Sequence, residues 1–207
     1  MRYSVDDVEF NDTVLNYMGT PNYAIMIKKI CEYNPRTEFI LSILKNVVAD
    51  KLNEQIMILA HNKNLLSYIY NAINNRNIGS VGYYIGGMKQ NDLKISESKK
   101  IILATYAMAE EALDIKTLTT LIMATPKTDV TQAVGRILRE KHEKPMVIDI
   151  IDGHNLFKKQ WSKRLSFYKK NKYNIEYNTE YNIEYNNEQK EEKEQILKGK
   201  CHINLEC

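Results

Sequence analysis

The sequence predicts an α/β fold: one domain with a mostly parallel sheet and helices on both faces. Three observations point to it. Short apolar runs recur at Ile56–Ala60, Ser80–Ile85, Ile101–Ala104, Thr119–Ala124 and Pro145–Ile151. Stretches with helical periodicity alternate with them. The runs are apolar on both sides, as strands buried on both faces are.

The elements follow in order. Residues 1–34 show no clear periodicity and read as an N-terminal extension. Within them Tyr23–Ile30 is a short apolar piece, a strand or a docking segment, broken by Asn34-Pro35. Residues 35–170 read as the domain. From Arg36 to Leu52, apolar Phe39, Ile40, Ile43, Leu44, Val47 and Val48 keep the i, i+3/i+4 spacing of an amphipathic helix. Ile56–Ala60 is the first sheet strand. Asn64–Ile78 is a helix with Leu65, Leu66, Ile69 and Ile73 on one face. Ser80–Ile85 is a strand ending in Gly86-Gly87, and Lys89–Ser98 is a short polar helix or loop. Ile101–Ala104 and Thr119–Ala124 are the next strands. Thr128-Asp129 reads as an N-cap for a helix over Val130–Leu138. Pro145–Ile151 is the last strand, and His154–Tyr168 a basic helix. Residues 171–207 are a low-complexity tail, in which Tyr173, Tyr177, Tyr181 and Tyr185 mark a four-residue repeat. Such composition predicts disorder.

Charge is uneven. The net charge is +3. The tail carries five Lys and eight Glu, so it holds −3 and the rest +6. A mildly basic body is compatible with a polyanionic partner without requiring one. The three cysteines, Cys31, Cys201 and Cys207, are odd in number and have no Cys-x-x-Cys spacing. That suggests a reducing interior, not a disulfide framework. No stretch reaches the roughly 20 apolar residues of a membrane span, and the acidic Met1–Phe10 is unlike a signal peptide. The expectation is a soluble, intracellular protein without a membrane partner.

In parallel folds, function gathers beyond the carboxyl ends of the strands. His61, Gly86, Thr105 and Thr125 fall there. The most informative stretch is Gln132-Ala-Val-Gly-Arg-Ile-Leu-Arg139. Two arginines three residues apart point two planar cations the same way from one helical turn. That suits them to the terminal phosphates of a nucleotide. Alone, the pattern is also that of an ordinary basic surface helix.

What precedes it decides between these. Ile101–Thr105, then Tyr-Ala-Met-Ala-Glu-Glu-Ala-Leu-Asp ending at Asp114, then a strand, then Gln-x-x-Gly-Arg-x-x-Arg, resembles the second RecA-like domain of superfamily 2 helicases. The wording of Gly82–Lys89, Ala104–Ile115 and Gln132–Arg139 looks most like helicases of large nucleocytoplasmic DNA viruses, such as the poxvirus transcript-release type. The resemblance covers about residues 36–170. It implies that Arg136 and Arg139 are arginine fingers, with Gln132, Gly135 and Asp114 at the nucleotide. It also implies that Thr105, His61, Gly86, Gly87 and Thr125 lie along a nucleic acid strand. Ala112 stands where the family has glycine two residues before the aspartate. Glu111 reads equally as a solvent-facing acid or a partner of Arg136. Lys158, Lys159, Lys163 and Arg164 make the last helix a candidate nucleic-acid face, with Phe157, Trp161, Leu165 and Tyr168 packing inward.

The sequence contains no Gly-x-x-x-x-Gly-Lys-Ser/Thr loop, no Asp-Glu-x-Asp/His pair and no Cys/His cluster of metal spacing. The resemblance therefore implies the trans-acting half of an ATPase. ATP and Mg²⁺ would be held by a separate N-terminal RecA-like domain, and the nucleic acid would be DNA in preference to RNA. This chain alone is not expected to hydrolyse ATP. In a viral setting it would work in the host cytoplasm or the virion. The alternative is a non-catalytic nucleic-acid-binding or regulatory module.

Overall fold

The computed structural model describes residues 1–50, 54–111, 115–137 and 144–177, with Glu111, Arg136 and Ile137 as backbone only. Its elements are β1 (Arg2–Tyr3), α1 (Val8–Asn11), α2 (Tyr23–Glu32), α3 (Asn34–Asp50), β2 (Gln55–Ala60), α4 (Lys63–Asn75), β3 (Val81–Tyr84), α5 (Gln90–Glu97), β4 (Ile101–Thr105), α6 (Tyr106–Glu111), β5 (Leu118–Met123), α7 (Thr131–Ile137), β6 (Met146–Asp149), β7 (Ile151–Asp152) and α8 (Asn155–Lys170).

Five strands form one sheet in the order β3-β4-β2-β5-β6, and every pairing in it is parallel. The strand period of two splits each strand between two cores. Along β2, Ile56, Ile58 and Ala60 join one cluster with α2, α3 and α4. Met57 and Leu59 join the other, with Leu93 of α5, Tyr106 of α6, Val134 of α7 and Tyr168 of α8. The run from Gln55 to Ala60 is buried throughout for that reason.

Helix α4 starts at Asn62, whose side chain accepts from the Asn64 amide at 2.7 Å. It buries Leu65, Leu66, Ile69, Ala72 and Ile73. Gly82 of β3 is needed for close approach. A Cβ there would sit 2.9 Å from the Ser96 Cα in α5. Backbone on both sides leaves little room to yield. Gly82→Ala is expected to cost about 1–3 kcal/mol, read as a lower denaturant midpoint at unchanged slope.

Two sequence expectations change, and one segment left unassigned gains a helix. Tyr23–Ile30 lies in helix α2. Its buried residues Met26, Ile27, Ile30 and Cys31 follow helical spacing, while Tyr23 and Ile25 stay 38% and 44% exposed and blur the period. The last strand divides: β6 completes the sheet, and β7 pairs in parallel with β1. The N-terminal segment thereby packs into the first core through Tyr3 and Phe10, and the Met1 ammonium donates to the Asp149 carbonyl at 2.7 Å. Between β4 and β5 the chain forms the short helix α6. Cys31 is buried and free. Burial pushes its thiol up to about 11, so it stays protonated. The repeat from Tyr181 onward, with Cys201 and Cys207, lies outside the described residues. No described helix is long and apolar enough to cross a membrane.

Candidate nucleotide and nucleic-acid face

The strand ends are level. Ala60 pairs with Thr105, Tyr84 with Ala104, Leu59 with Met123 and Met123 with Asp149. His61, Gly86, Thr105 and Thr125 therefore share the carboxyl edge of the sheet. Thr105 is half-buried there. The exposed Gly86 and Gly87 follow β3, and Gly87 has φ +92°, a conformation glycine adopts without strain. Lys63 donates to the Gly86 carbonyl at 3.4 Å, which ties the His61-Asn62-Lys63 loop to this turn.

Thr125 is 1% exposed. Its hydroxyl accepts from the His61 amide at 3.0 Å and lies 2.9 Å from His61 Nδ1. The hydroxyl and Nδ1 share a hydrogen bond whose direction follows the imidazole tautomer. Tyr106 packs its ring 4.8 Å from the His61 ring and donates to the Thr125 carbonyl at 2.7 Å. Lys127 sits 4.9 Å over the Tyr106 ring and pairs with Glu110.

Although His61 keeps an exposed edge, burial of its inner side, then the Lys127 charge, holds its pKa down to about 4. The imidazole is neutral at physiological pH. Unfolded, it binds a proton below about 6.5; folded, it does not until about 4. Stability is therefore fully present above 6.5 and falls as pH drops from 6.5 towards 4. His61→Gln is expected to flatten the pH dependence of the denaturation midpoint in that window and to leave it unchanged above 7.

The loop from β5 to α7 is held at consecutive residues. Arg36 donates to the Ala124 carbonyl at 2.9 Å. Tyr23 reaches the Pro126 carbonyl at 3.4 Å, and Arg164 the Lys127 carbonyl at 2.6 Å. Gln160 donates to the Thr128 hydroxyl at 3.0 Å. Asp129 then caps α7, accepting from the Thr131 amide at 2.9 Å. Two of these donors are buried cations. Arg36 pairs with Asp152 at 2.5 and 2.8 Å. Arg164 pairs with Asp149 at 2.7 and 2.9 Å, and Tyr168 adds a third donor to Asp149 at 3.1 Å.

Val130, just before α7, and Ala133 and Val134 on it are buried, and Gln132 and Gly135 are exposed. A Cβ at Gly135 would meet nothing within 4 Å. The helix therefore turns an open side outward at the level of Gly135, with the Arg136 backbone next in the helix. The Arg136 side chain, Arg139, Asp114 and the Glu111 side chain lie outside what is described. Arg164 does not belong to a basic surface. It is 1% exposed, because its charge is neutralised inside by Asp149. The sequence pattern could not supply that partner, nor the roles of Tyr106, Glu110 and Lys127. The only available signal was an arginine on the apolar arc of the last helix. Among the described residues no group of His, Cys, Asp and Glu could hold a metal ion.

No family model matches the chain. It is 42% identical over 161 residues to the mimivirus protein named "Putative ATP-dependent RNA helicase L396", a match covering 75% of this chain and 31% of that one. A protein of the same description, QP509L from African swine fever virus, is 30% identical over 130 residues, covering 58% and 26%. The chain thus spans about a third or less of these relatives. Among solved structures, T4 UvsW superposes with a TM-score of 0.61 at 23% identity, covering 74% of this chain and 36% of that one. The fold is that of a RecA-like helicase domain. The chain is thus similar in sequence to one part of viral proteins named as helicases, and in fold to a helicase's RecA-like domain.

Proposed function

We propose that the chain is the C-terminal motor domain of an ATP-dependent nucleic-acid helicase or translocase. The observation that carries this reading is the open side of α7, presented from a braced loop at the carboxyl edge, with Arg136 directly after the unobstructed Gly135. The Gln-x-x-Gly-Arg-x-x-Arg pattern supplies planar cations for a nucleotide that another RecA-like domain holds. Guanidinium groups suit a triphosphate approached from outside, through their planar paired donors and fixed charge. MgATP, when bound at that other domain, supplies the driving hydrolysis. Arg136 and Arg139 place positive charge where phosphate charge develops, and Gln132 and Asp114 orient the surrounding contacts.

The strand grip is formed by Thr105, the exposed edge of the neutral His61 ring and the Gly86-Gly87 backbone, a set of uncharged groups suited to phosphate oxygens. In this reading Thr125 is an internal strut, because its hydroxyl serves His61. Phosphate contacts carry no base identity. The relatives named above bear RNA-helicase names, so the preference for DNA is a question for experiment.

The test is nucleic-acid-stimulated ATP hydrolysis by this chain alone and mixed with a cognate Walker-type first domain, using DNA and RNA strands of equal length. Activity only in the mixture supports the reading. No activity in either, with salt-dependent binding retained, would instead support a non-catalytic binding module.

A further inference from the structure

Helix α8 has two faces of opposite character. Phe157, Arg164 and Tyr168 are buried. Lys158, Lys159, Lys163, Lys169 and Lys170 are exposed. At about 100° per residue these five ammonium groups fall within about 140° of arc, opposite the buried side. The helix contains no Asp or Glu. The carboxylates just before it, Asp149 and Asp152, are consumed by Arg164 and Arg36. Among the described residues, none of the five lysines has an ion-pair partner. A solvated helix ordinarily intersperses signs, and Lys159–Lys163 is an unfavourable i, i+4 pair. The stripe therefore destabilises the free helix, and a polyanion would relieve it.

The chemistry narrows the polyanion. The aromatic rings of α8 do not point out with the lysines. Phe157 and Tyr168 are buried, and Trp161 packs on Tyr168. The face thus offers charge without a stacking platform for splayed bases and without apolar residues to enter a membrane. A duplex backbone, with one charge per about 1.7 Å, fits that description best. From Lys158 to Lys170 the helix rises about 18 Å, the length of about five base-pair steps. Gln160 and Arg164 join the helix to the β5–α7 loop, so the helix lies beside the carboxyl edge with the stripe on its outer side.

We propose that the lysine face of α8 binds the sugar–phosphate backbone of a nucleic-acid duplex flanking the strand at the carboxyl edge. The position of that strand rests on the function proposed above; the binding itself does not.

The experiment measures affinity of the full chain for a blunt duplex of about 30 base pairs, a single strand of the same length and anionic vesicles, across a salt series. It compares the wild type with Lys158→Gln/Lys159→Gln/Lys163→Gln. A control, Lys28→Gln/Lys45→Gln/Lys94→Gln, removes equal charge from exposed sites elsewhere. The expected result is a log–log salt slope for the duplex that falls by about 2–3 in the α8 variant, near 0.9 per lost contact. The control should change it far less, and the melting temperature of the α8 variant should not fall, since the substitutions relieve repulsion along the helix. Four results would overturn the proposal: no duplex binding by the wild type, equal losses in the control, a loss confined to the single strand, or tighter binding to vesicles than to duplex. Loss of duplex binding with unaltered reconstituted ATPase would separate this face from the arginine helix.

Discussion

Arg136→Ala and Arg139→Ala should each lower kcat of the reconstituted ATPase by about 10³–10⁵, with nucleic-acid affinity and melting temperature unchanged. The buried side of α7 is Ala133 and Val134, with Val130 just before the helix, and its exposed residues include Gln132 and Gly135. The expectation follows from the function proposed for the two arginines above. Such side chains act on charge that develops only as the phosphate bond breaks, so the loss falls on kcat more than on KM for ATP. Lysine at either position should rescue poorly, because it lacks the planar fork. Steady-state kinetics with the cognate first domain provides the measurement. A wild-type pair that is active and insensitive to both substitutions would remove the arginines from the mechanism. An inactive wild-type pair would remove the motor reading itself.

Arg36→Ala should destabilise the domain by about 3–5 kcal/mol. The side chain is 0% exposed. It holds Asp152 through two hydrogen bonds and the Ala124 carbonyl through a third. Truncation strands a buried carboxylate and a buried carbonyl together. Most of that cost belongs to the stranded charge, so Arg36→Met/Asp152→Leu should recover much of it. Chemical denaturation of the three proteins reads the difference as shifts in midpoint. A single variant within 1 kcal/mol of wild type would show that Asp152 finds water or another donor when Arg36 is removed. Arg164→Ala faces the same argument, with Asp149 and the Lys127 carbonyl left behind.

The buried strands were legible because burial on both faces leaves continuous apolar runs, and α4 because its apolar residues keep one face. The N-cap at Asp129 and the level strand ends could also be read, since both follow from local spacing and a parallel sheet. The second helix was not, because exposed Tyr23 and Ile25 fill the gaps in its apolar pattern. Nor was the split of the last strand, which depends on a partner, Arg2–Tyr3, almost 150 residues away. Arg164 looked like its lysine neighbours because composition does not reveal a buried carboxylate. Thr125 offered a hydroxyl on paper, and only the fold shows that His61 occupies it. The parts of the site that motif spacing names most directly, Arg139 and Asp114, lie outside the described residues.

The brace on the loop after β5 has a mechanical meaning. Ala124, Thr125, Pro126, Lys127 and Thr128 are each tied to a different side chain of the surrounding helices and loops. A tether at every residue leaves no slack to store or absorb displacement. The strand ends and α7 are therefore coupled through several tethers and not through a loose connection. In the function proposed above, the domain is a stiff lever arm rather than a spring, and the compliance of the motor lies at its joint with the partner domain.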